Sequence, residues 1–86
     1  MASQQFILAL DRIISEASSG RSTARAVAVS IAALIASHSN SLDDAYQLLE
    51  KVDEQMASLS PPLKTLIYNR TQEFIEEYDS NGAWNF

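Results

Sequence analysis

The sequence predicts an all-α, antiparallel four-helix bundle built by a single domain of residues 1–86. Three observations carry this: apolar side chains recur at helical spacing in four segments, turn-forming residues separate those segments, and no stretch alternates apolar and polar residues as a half-buried strand does. Hydrophobic residues make up 47% of the 86, with only two glycines and two prolines, a composition of globular helical proteins near the lower size limit for a lone core.

The first helix is expected over residues 3–18. Phe6, Ile7, Leu10, Ile13, Ile14 and Ala17 line one face, Ser3 is placed to cap the start, and Gly20 can take the positive φ that stops the helix. The second is expected over 22–37, with Ala24, Val27, Ala28, Ile31, Leu34, Ile35 and His38 on one face and Ser37-His38-Ser39-Asn40 as its stop. Ser41 and Asp44 form a cap signal for the third, over 41–59, whose stripe is Leu42, Ala45, Leu49, Val52, Met56 and Leu59. Pro61 and Pro62 break the chain there. The fourth helix, over 61–79 and capped by Ser60, is expected to turn Leu63, Ile67, Phe74 and Tyr78 inward with Leu66, Tyr68 and Ile75 on its flanks; residues 80–86 follow as an aromatic tail. Short links favour sequential helices lying side by side, in a bundle that could also pair as a dimer.

Chemistry is sparse in this inventory. There is no cysteine, hence no disulfide, thiolate metal site or thiol nucleophile, and a cytoplasmic, reducing setting is expected. Neither a signal peptide nor a membrane span is expected, because the apolar runs are short and interrupted. Six Lys and Arg against eleven Asp and Glu, with a pI near 4.5, oppose direct binding to nucleic acid or to anionic lipid. His38, the lone histidine, is expected at a helix end, as a cap or core-edge residue rather than a catalytic or pH-sensing group. No Glu-x-x-His pair, calcium loop or glycine-rich phosphate loop occurs, so the chain is expected to be neither an enzyme nor a holder of metal or cofactor. Asp53 and Arg70 each fall beside apolar positions on a helical wheel and are expected to pair across the third and fourth helices.

Three surfaces point to a partner. Between Ala26 and His38 the second helix has no formally charged residue, and its second face is Ala26, Val29, Ala33 and Ala36. A surface helix needs a polar side, so this face is expected to meet a second copy, another protein or the chain's own tail. Trp84 and Phe86 in the tail are expected to dock on the bundle or in a partner's pocket. Asp43, Gln47, Glu50 and Glu54 repeat along one face of the third helix, and Glu73 and Glu76 extend this acidic ridge on the fourth. The function expected is that of a non-catalytic protein–protein interaction module, an adaptor, inhibitor or assembly factor acting through the second helix or the tail. The alternative is an acidic inhibitor of a nucleic-acid-binding enzyme acting through the ridge; the chain is similar to such phage and mobile-element inhibitors in size and charge only.

Overall fold

The structure, a computed structural model, describes residues 3–84. Unsatisfied backbone donors decide where three of its helices begin. The Ser3 hydroxyl accepts from the Phe6 N–H at 3.2 Å and opens α1 (Gln4–Ser18). Thr23 accepts from the Ala26 N–H at 3.1 Å and opens α2 (Ala24–Ser37), so this helix starts after residue 22 because Thr23, and not Ser22, supplies the capping oxygen. Ser41 accepts from the Asp44 N–H at 3.1 Å and opens α3 (Leu42–Gln55). Each cap contributes about 1 kcal/mol. The Asp44 carboxylate accepts from the Asn40 N–H at 3.1 Å, a return bond to the residue before the cap.

The helix α4 (Pro61–Ser80) begins differently. Ser60 stands at the N-cap position, but its hydroxyl bonds no helix N–H, which corrects the expectation that it caps. Pro61 and Pro62 lack N–H groups, so two of the donors a cap would serve are absent. A second correction concerns α3, which ends at Gln55 rather than near residue 59. The Leu59 N–H bonds the Met56 carbonyl at 3.0 Å, a turn that keeps both Met56 and Leu59 buried.

The ends of α1 and α4 share one device. Gly20 has φ +74° and Gly82 φ +82°, a left-handed conformation that glycine adopts without a Cβ clash. Gly20 and Arg21 donate back to the Ala17 and Glu16 carbonyls at 3.2 and 3.1 Å, and Gly82 and Ala83 donate back to Asp79 and Tyr78 at 3.0 Å each. These paired bonds make Schellman stops.

The core draws Phe6, Leu10 and Ile14 from α1, Val27, Ile31 and Ile35 from α2, Ala45, Leu49 and Val52 from α3, and Ile67 and Ile75 from α4. The expected inward face of α4 needs rotation. Its buried positions are Ile67, Thr71 and Ile75, whereas Leu63, Phe74 and Tyr78 are half-buried and Leu66 is 47% exposed. Because α4 packs on both α2 and α3, it buries a broad arc, with Thr71 at its centre.

Side-chain contacts fix the helix directions. Phe6 at the start of α1 meets His38 at the end of α2 edge-on, with ring centroids 5.5 Å apart, so these helices run antiparallel. Tyr46 reaches Glu76 at 2.6 Å and Lys64 reaches Asp53 at 3.4 Å, which sets α3 antiparallel to α4. The C-terminal ends of α2 and α4 line one groove, so this pair is parallel. It is also the most extensively packed pair, while α2 meets α3 only sparsely and α1 and α4 make no contact among the described residues. Chain order therefore gives two hairpins, but the helix beside α2 across the bundle is α4 rather than α3. Ala28 and Ala32, both without exposed surface, are the small side chains that a close helix crossing requires.

Candidate functional site

α2 packs on all three other helices, yet one side of it remains open. Its buried residues, Val27, Ala28, Ile31, Ala32 and Ile35, fill one arc, and on the opposite arc Ala26, Val29, Ser30, Ala33 and Ser37 are exposed, Val29 by 42%. Ala36 is half-buried because it belongs to the wall of a shallow groove. This open groove, of about 500 Å³, is lined by Ala33, Ala36, Ser37, Ser39, Tyr78 and Trp84. Of the four residues predicted on this face, three lie in the open and the fourth joins them to the groove.

The groove depends on the stop of α4. Positive φ at Gly82 reverses the chain, and Trp84 comes to rest half-buried against the core beside the end of α2. Trp84 thus covers the C-terminal end of the α2 face and leaves Ala26, Val29 and Ala33 uncovered. Phe86 lies outside the described residues. Tyr78 and Ser39 also line the groove, although local sequence does not mark them as site residues. Only the parallel α2–α4 pairing, which periodicity does not encode, brings them to Ala33 and Ala36.

The acidic ridge has a different character. Asp43, Gln47, Glu50 and Glu54 are exposed along α3, and Glu73 and Glu76 are exposed on α4. Several of these carboxylates already have partners: Glu54 pairs with Lys51 at 3.3 Å, Glu73 with Arg70 at 3.4 Å, and Glu76 accepts from the Tyr46 hydroxyl at 2.6 Å. That hydrogen bond, then partial burial and the charges of Glu76, Asp79 and Asp43, push the Tyr46 pKa up to about 12. The expected Asp53–Arg70 pair does not form. Asp53 pairs with Lys64, six residues from Arg70 along α4 and hence about 9 Å away, and Arg70 lies exposed on the side of α4 that holds Glu73.

Carboxylates gather toward the end of the bundle that holds the α2 C-terminus, with Asp43 and Asp44 at the start of α3 and Glu73, Glu76, Glu77 and Asp79 toward the end of α4, where Arg70 lies beside Glu73.

His38 is exposed at the C-cap of α2, its ring against the edge of Phe6. Among the described residues no three His, Asp or Glu side chains are grouped to hold a metal, and no helix is long and apolar enough to cross a membrane. Thr71 Oγ1 is buried without a hydrogen-bond partner among the described residues. Comparison with known proteins gives no match: no family model, no curated protein and no solved structure resembles the chain.

Proposed function

We propose that this protein is a non-catalytic interaction module that binds another protein chain through the outward face of α2 and the groove that continues it. The observation that carries this reading is the exposed, uncharged surface of Ala26, Val29 and Ala33, which remains open although α2 packs on every other helix. Small side chains let a partner backbone come close, and the adjoining groove offers Tyr78 and Trp84 as aromatic walls. Burial of Ala26, Val29 and Ala33 themselves costs no charge desolvation. The alternative, a blocker of a nucleic-acid-binding enzyme acting through the acidic ridge, draws on the exposed carboxylates of Asp43, Glu50, Glu54, Glu73 and Glu76. Glu54, Glu73 and Glu76 are partly satisfied within the chain, which favours the α2 face as the binding surface.

Affinity capture from source-cell extract with three variants tests this. Val29→Glu and Ala33→Glu each place a carboxylate on the α2 face, and Glu50→Lys reverses the middle of the ridge. The expected result is that a protein retained by the parent chain is lost with the first two and kept with the third. Loss with Glu50→Lys alone would reject the α2 reading in favour of the ridge.

A further inference from the structure

We draw no further inference here: the strongest candidate, the exposed Ala26, Val29 and Ala33 face of α2 with the groove that continues it beside Tyr78 and Trp84, belongs to the interface already proposed, and nothing in the structure shows what covers it.

Discussion

The outward faces of α2 and of the α3–α4 hairpin are both solvent-exposed, and they differ in how their side chains are satisfied. On α3 and α4 the cations Lys51, Lys64 and Arg70 each lie beside a carboxylate of the same chain, and Tyr46 ties the two helices through Glu76. On α2 the exposed residues Ala26, Val29 and Ala33 have neither charge nor hydrogen-bonding side chain. The charged side chains of the first surface are satisfied within the isolated chain or by water, although Leu66 on α4 stays exposed. Apart from the Ser30 and Ser37 hydroxyls the second offers water little, and another apolar surface covers Ala26, Val29 and Ala33 better.

The sharpest contrast lies within α2. Ile31→Ala removes a side chain without exposed surface and should cost about 2–4 kcal/mol of stability in urea unfolding. Val29→Ala, two residues away on the open side, should cost less than about 0.5 kcal/mol. Equal losses would erase the distinction between the two faces.

The groove can be broken without touching its lining. Gly82→Ala places a Cβ on a residue at φ +82° and should destabilise by about 1–2 kcal/mol. The emission of Trp84, the single tryptophan, should shift to the red as it leaves the core edge. Unchanged emission would detach the Schellman stop from the positioning of the groove wall.

Smaller effects belong to the α3–α4 surface. In a double-mutant cycle, Asp53→Ala with Lys64→Ala should give a coupling of about 0.2–1 kcal/mol, and Asp53→Ala with Arg70→Ala should give none. Tyr46 is held neutral by its bond to Glu76, its folded pKa standing above the ordinary value of 10. The stabilisation is therefore complete below pH 10 and lost as pH rises from there through about 12. In spectrophotometric titration the late ionisation of Tyr46 should move back toward 10 in Glu76→Gln.

Much of this comparison is legible in the residues. The stripes of α1, α2 and α3, the caps at Ser3 and Ser41 and the stop at Gly20 follow from local rules, because each depends on neighbours three or four positions away. Position and exposure of Ala26, Val29 and Ala33 follow equally from the wheel. What the wheel lacks is the identity of the neighbouring helix. Thr71 reads as polar until α4 is seen wedged between α2 and α3. Arg70 looks like a partner for Asp53 until the α3–α4 register gives that place to Lys64. Tyr78 and Trp84 become groove walls only through the parallel pairing of α2 with α4.

Site-specific photo-cross-linking tests the central claim most directly. A photoreactive side chain is placed at position 29 or, separately, at position 50 of the chain expressed in its source cells. The account predicts a protein adduct, with a second copy or another chain, from position 29, and loss of that adduct when Ala33→Glu is added. An adduct from position 50 with none from position 29 would contradict it and move the interface to the acidic ridge.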